Sequence, residues 1–256
     1  MSGPVRRRRT IVAANPVLYT IGKVLVLGCA VVMVLHVVAV IGRALIRPDS
    51  GPLLEVLALL NAGQERSLAA WWTAALLIGA ALAAAVVAKL STQTQTSGRS
   101  REALSWTVLT VVFAMLSLDE VVSLHERGAS WTAAAIDAGS PLALLGWIIP
   151  ATAVLVLSLV VLVPVFRALP RRPRTYIIAG LGTSITAALG LEFVNVLLVN
   201  AGTELRWRHI VMAAEEAIEM LGVLIILAGT SMALRITYVD GTLTLKYLGR
   251  EAGGES

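Results

Sequence analysis

The sequence has little from which to build a disulfide, a thiolate metal site or a solvent-facing surface. It holds a single cysteine, Cys29, which excludes an internal disulfide and any Cys-based zinc site. Charged residues make up only 14% of the 256 and aromatic residues 5%, while 57% are hydrophobic. No Gly-rich phosphate loop, internal repeat or soluble domain stands out. A soluble domain of this length could not hide so much apolar surface in one core. The mean hydropathy of +0.81 points instead to lipid as the solvent. The net charge of +5 does not imply nucleic acid as a partner, because the basic residues flank apolar runs rather than line an amphipathic face.

What is present is a series of six apolar runs near the roughly 20-residue length that spans a bilayer: Val17–Ile46, Leu68–Leu90, Leu104–Leu124, Leu144–Phe166, Tyr176–Asn200 and His209–Leu234. They predict an all-α, polytopic bundle of six transmembrane helices. Fourteen Lys and Arg residues fall on one side of that arrangement, among them Arg6–Arg9, Arg171, Arg172, Arg174 and Lys246, against six on the other. The positive-inside rule makes the richer side cytoplasmic and places both termini there. Tyr19, Trp106 and Tyr176 mark inner ends and Trp71, Trp72, Trp147 and Trp207 outer ends, where amphipathic rings prefer the interface. The expected location is a bacterial inner (plasma) membrane. Arg6–Arg9 followed by an apolar run ending at Cys29 faintly resembles a lipoprotein signal, but the run continues far beyond a signal's short core, so an uncleaved first span is expected.

The chain divides into a basic N-terminus (1–16), the membrane domain (17–234) and a cytoplasmic tail (235–256). In the outer loop, Asp49 or Ser50 is placed to cap a short helix with Pro52 in its first turn, lying on the membrane or folding back over the bundle. Ser67 is placed to cap the second span. Gly182, Thr186 and Gly190 fall four apart in the fifth span, a spacing that lets helices approach closely. The tail, Ile236 to Tyr247 around Asp240-Gly241, reads as a β-hairpin that packs on the loops or frays.

The acids are the informative feature. Asp119, Glu120, Glu126, Glu192, Glu215, Glu216 and Glu219 are seven of the sixteen acidic residues, and all lie within or at the ends of spans. Spans one, three and five run outwards and carry His36, Asp119 to Glu126 and Glu192 late; span six runs inwards and carries His209 to Glu219 early. Ionisable groups from four helices therefore share the outer level. At about 100° per residue, Asp119, Glu120, Ser123 and Glu126 share one arc, and Glu215, Glu216 and Glu219 another. Such groups are costly in lipid and should face the bundle interior. They cannot all be charged without protons, arginines or a cation to compensate.

Asp119-Glu120-x4-His125-Glu126, Gly190-Leu191-Glu192 and Glu215-Glu216-x2-Glu219-x2-Gly222 resemble a family of uncharacterised bacterial six-span membrane proteins. In that family the segment before span two tends to read Glu-x-Ser-x-Pro-Thr-Trp; here Glu65, Ser67 and Trp71 keep the Glu, Ser and Trp, and Leu68-Ala69-Ala70 replaces the rest. The resemblance implies the fold and a site that includes Glu65, but no reaction.

Three classes of function fit these residues. The leading one is a divalent-metal site in the outer leaflet, with Asp119, His125, Glu126, Glu215, Glu219, His36 and Glu65 as ligands and Zn, Mn or Fe ahead of Ca or Mg. Glu120, Glu192 and Glu216 would then serve proton transfer in chemistry on a lipid-like substrate. The second is a cation or proton transporter, against which stand continuous spans whose inner half has no polar stepping stones beyond Thr183, Ser184 and Thr186. The third is an accessory or structural subunit. Its buried polar network, with Arg43, Arg66, Arg127, Arg206 and Arg208 as partners, would fix packing or dock a membrane protein. The Glu-x-x-His pattern of di-iron bundles is absent, since Glu216 is followed at three by Glu219.

Overall fold

A computed structural model describes residues 16–46, 50–64, 66–93, 99–124, 127, 148–239 and 242–249. Eight helices and one hairpin make up the described part. They are α1 (Pro16–Ile46), α2 (Pro52–Leu60), α3 (Leu68–Thr92), α4 (Arg99–Val122), α5 (Ile148–Ala168), α6 (Arg171–Thr186), α7 (Glu192–Asn200) and α8 (Leu205–Ser231). A π-helical turn, Ala187–Leu191, joins α6 to α7 in one continuous rod. Strands β1 (Leu234–Val239) and β2 (Thr242–Tyr247) follow α8.

Four of these helical stretches are long and apolar enough to cross a membrane: Leu18–Ile46, Leu68–Thr92, Arg101–Val122 and Arg171–Asn200. The protein is thus a mostly helical, polytopic membrane bundle. Thr152–Ala168 is apolar but shorter. Helix α8 has the length, but Arg206, Arg208, Glu215, Glu216 and Glu219 interrupt its first half. Outward faces are consistently greasy: Leu27, Leu82 and Val160 are each more than 60% exposed, on three different helices. Apolar exposure on that scale marks a surface made for lipid. Hydroxyls are hidden by local back-bonding, as where Thr107 and Thr110 donate to Ala103 and Trp106 one turn earlier.

Small residues set the packing. Ala80, Ala81, Ala84 and Ala88 of α3 form a flat face against Trp106, Leu109 and Phe113 of α4, all in one core cluster with Leu162 and Val165 of α5. The closest approach lies between α6 and α8. A Cβ on Gly180 would meet the Gly222 carbonyl at 2.5 Å, and one on Gly229 would meet Tyr176 Cβ at 2.7 Å. Gly182 and Gly190 have open space around them, so the contact face runs through Gly180 and Ser184, not through the expected Gly182, Thr186 and Gly190. The reason is phase. Both sets share the four-residue spacing, and only the partner helix decides which one turns inwards.

Helix α2 starts at Pro52 as expected, but Gly51 precedes it with a positive φ of 99° and no side chain caps it. Asp49 lies outside the described residues. The helix folds back beside the end of α1, where Leu57 faces Gly42. Ser67 does cap α3, its hydroxyl accepting from the Ala70 N–H at 3.2 Å.

The hairpin docks. Leu234 pairs with Tyr247 in antiparallel register, and both pack on the main core. The Tyr247 hydroxyl donates to Glu102 Oε2 at 2.7 Å and accepts from Trp106 Nε1 at 3.2 Å. Trp106 is fully buried, which corrects its reading as an interfacial anchor. Its indole N–H found a protein partner instead of headgroups. Trp71 and Trp207, by contrast, are largely exposed, and Trp72 leans on α1, its Nε1 donating to Cys29 Sγ at 3.3 Å.

Candidate functional site

Helix α4 carries Asp119 and Glu120 into its last turn and then stops. Ser123 adopts a positive φ of 53°, and its N–H donates to the Asp119 carbonyl at 2.6 Å. Arg127 closes the break, with its N–H donating to the Ser123 carbonyl at 3.2 Å and its Nε to the Val122 carbonyl at 3.1 Å. The arc drawn from Asp119 through Glu126 assumed a regular helix, and that helix ends at Val122. His125 and Glu126 lie outside the described residues, as does Glu65.

Helix α3 packs against both α4 and α8. It thereby brings Glu120 of α4 into electrostatic range of Glu216 and Glu219 of α8, which also feel Glu215. All four side chains are half-buried. Among the described residues, the Glu216 and Glu219 side chains make no hydrogen bond or ion pair, and the charged groups acting on them are other carboxyls. Asp119 and Glu192 are also half-buried, but neither is among the groups acting on Glu216 or Glu219. Among the described residues, no group of three or more His, Cys, Asp or Glu side chains is arranged to hold a metal ion.

The two described histidines behave differently. His36, only 2% exposed, accepts the Ala62 N–H on Nδ1 at 2.9 Å. That bond pins the α2–α3 turn to α1 and leaves the ring proton of neutral His36 on Nε2. His209 of α8 lies near His36 and Arg43. Its Nδ1 is buried and makes no hydrogen bond among the described residues.

Two of the arginines offered as partners for the acids are engaged elsewhere. Arg206 pairs with Glu204 at 2.6 Å in an exposed ion pair and stacks over Trp207. Arg208 Nε donates to Asn195 Oδ1 at 3.4 Å.

Sequence reasoning passed over several polar groups that join helices at this end. Ser117 Oγ donates to the Ala74 carbonyl of α3 at 2.8 Å, and Ser184 Oγ donates to the Glu219 carbonyl of α8 at 3.3 Å. Thr73 is 1% exposed, and its hydroxyl makes no hydrogen bond among the described residues. A lone Ser or Thr in an apolar run gives no periodic signal of its direction. The π turn was equally silent, though Gly190 and Glu192 at its end had been singled out. Such turns insert one residue into an α-helix and recur at functional sites.

Fold and polar node together define a polytopic membrane protein with ionisable groups gathered at one end of its helices. The chain belongs to the family described as a domain of unknown function, DUF8692, whose model matches residues 24–233. No curated protein matches the chain. No solved structure matches it either.

Proposed function

We propose that this chain is a six-span inner-membrane protein of accessory or structural kind, whose polar node fixes the packing of one end of the bundle. The observation that carries this reading is the set of cross-element hydrogen bonds: His36 to the Ala62 N–H, Ser117 to the Ala74 carbonyl and Ser184 to the Glu219 carbonyl. Each ties one helix to another or to a turn, and all three end on backbone that a ligand would not need. In this reading α5 and α8 complete the six spans, with α8 tolerating Glu215, Glu216 and Glu219 because they are half-buried against protein. Both termini then lie in the cytoplasm. Labelling of single cysteines placed at Ser97, Gly253 and Ala138 in a Cys29→Ala background tests the topology: Ala138 alone should react from outside intact cells.

A second reading rests on the gathering of Glu120, Glu215, Glu216 and Glu219. Four carboxyl groups in one field attract a cation, and Asp119, His125, Glu126, His36 or Glu65 would complete its shell. Glu192 would stand by for proton transfer. Melting of the purified protein separates the two. The packing reading expects no bound metal and a midpoint unmoved by chelator. A midpoint that falls with chelator and returns with added metal, by mass action, would replace it with the metal site.

A further inference from the structure

The hairpin has two unlike faces. Leu234 and Tyr247 sit in the core, and Ile236 and Leu245 are half-buried beside them. The opposite face carries Arg235 directly across from Lys246, and Thr237 across from Thr244, all four exposed. Like charges placed opposite on neighbouring strands destabilise a sheet, and opposite charges would have served it better. Neither Arg235 nor Lys246 has a carboxylate partner among the described residues.

Their position is as informative as their sign. Each is one residue from a side chain of the main core, and Ala233 just before them is fully buried. The two charges therefore stand at the membrane-proximal end of the hairpin, where the apolar bundle gives way. Strand β2 touches α3, whose last turn carries exposed Lys89. Tyr247 is bonded to Glu102, next to exposed Arg101. Four cations thus belong to the same end, and among the described residues no acid on the outward hairpin face offsets them.

We infer that the Arg235–Lys246 pair is a binding surface for the phosphate headgroups of anionic phospholipids. An anionic leaflet supplies the negative charge that the cross-strand pair lacks, and long basic side chains at a span's end reach headgroups without leaving their apolar stems in water. The repulsion between the two residues is then not a defect of the hairpin. It is cancelled where the protein resides and only there. This inference stands apart from the polar node at the other end.

The test uses the full-length protein in neutral detergent, melted with added phosphatidylglycerol, phosphatidylcholine or inorganic phosphate. Phosphatidylglycerol should raise the midpoint of the wild type. For Arg235→Gln or Lys246→Gln, the lipid concentration giving half the effect should rise about fivefold per charge removed. In phosphatidylcholine the order should reverse, with the double variant melting at or above the wild type because the repulsion is gone. Thr244→Lys, which adds a charge to the same face and removes nothing, should lower the half-effect concentration of phosphatidylglycerol. Equal responses of wild type and all variants to phosphatidylglycerol would overturn the inference. So would inorganic phosphate reproducing the lipid's shift at matched phosphate concentration, which would point to a soluble anion.

Discussion

The two ends of the bundle handle buried acids in opposite ways. At the hairpin end Glu102, 5% exposed, accepts the Tyr247 hydroxyl, which in turn accepts the Trp106 indole N–H. At the other end Glu216 and Glu219 lie in the field of Glu120 and Glu215, and among the described residues neither carboxyl group makes a hydrogen bond or an ion pair. The first acid is fastened by donors and serves the fold. The second pair lies in a field of its own sign, which costs stability unless something offsets it. Replacing the first acid breaks a hydrogen bond; replacing one of the second group removes a repulsion.

The frame that both ends share is the most sensitive part. Gly222→Leu would drive a side chain into the Gly180 carbonyl and the Ser184 N–H, 2.7 and 2.9 Å from the new Cβ. The obstacle is backbone, so the expected loss is about 3 kcal/mol or more, read as failure to recover folded protein in detergent. Next comes the contrast itself. Glu102→Leu should destabilise by about 1.5 to 3 kcal/mol, because the Tyr247 hydroxyl loses a charge-assisted acceptor. Glu216→Gln should leave the melting point unchanged or raise it. If the two variants melt alike, the ends do not differ as argued. His36→Leu sharpens the comparison: it strands the Ala62 N–H and should cost about 1 to 3 kcal/mol whether or not chelator is present. A cost that disappears in chelator would mean that the histidine serves a cation. The smallest effect belongs to Ser123→Gly. It relieves a left-handed backbone at the end of α4 and should gain about 0.5 kcal/mol, provided that the lost hydroxyl holds nothing.

The polytopic frame was readable because lipid imposes a length and an apolarity that few other environments demand. Ser67 as a cap and the paired strands of the tail were readable for a similar reason: their chemistry is local. Facing was not. When a helix is apolar all round, nothing in its own sequence says which side meets a partner, so Gly182 looked as good as Gly180 and buried Trp106 looked like an interface residue. The gathering of acids from different helices was legible, in that Glu120, Glu215, Glu216 and Glu219 do come into one field. The arc of span three was legible only as far as the helix lasts, and a serine in a left-handed conformation leaves no mark in the sequence.

The π turn at Ala187–Leu191 acts as a phase shifter. One additional residue in a turn advances everything after it by about 100° relative to a plain α-helix. Gly180 and Ser184, before the turn, face α8, and Asn195, after it, still reaches Arg208 on the same helix. A deletion of one codon within 187–191 would restore the uninterrupted α-helical path and remove no side chain from either contact. Because the deletion takes out the extra residue together with the turn that absorbs it, Glu192 and Asn195 would keep about their present bearing and the glycine seam would stay in place. The lower half of this rod is set by steric fit and the upper half by a count of residues, so straightening the turn without a deletion, or a deletion between Ser184 and Glu192 that leaves the turn in place, would re-aim the polar end independently of the packed one.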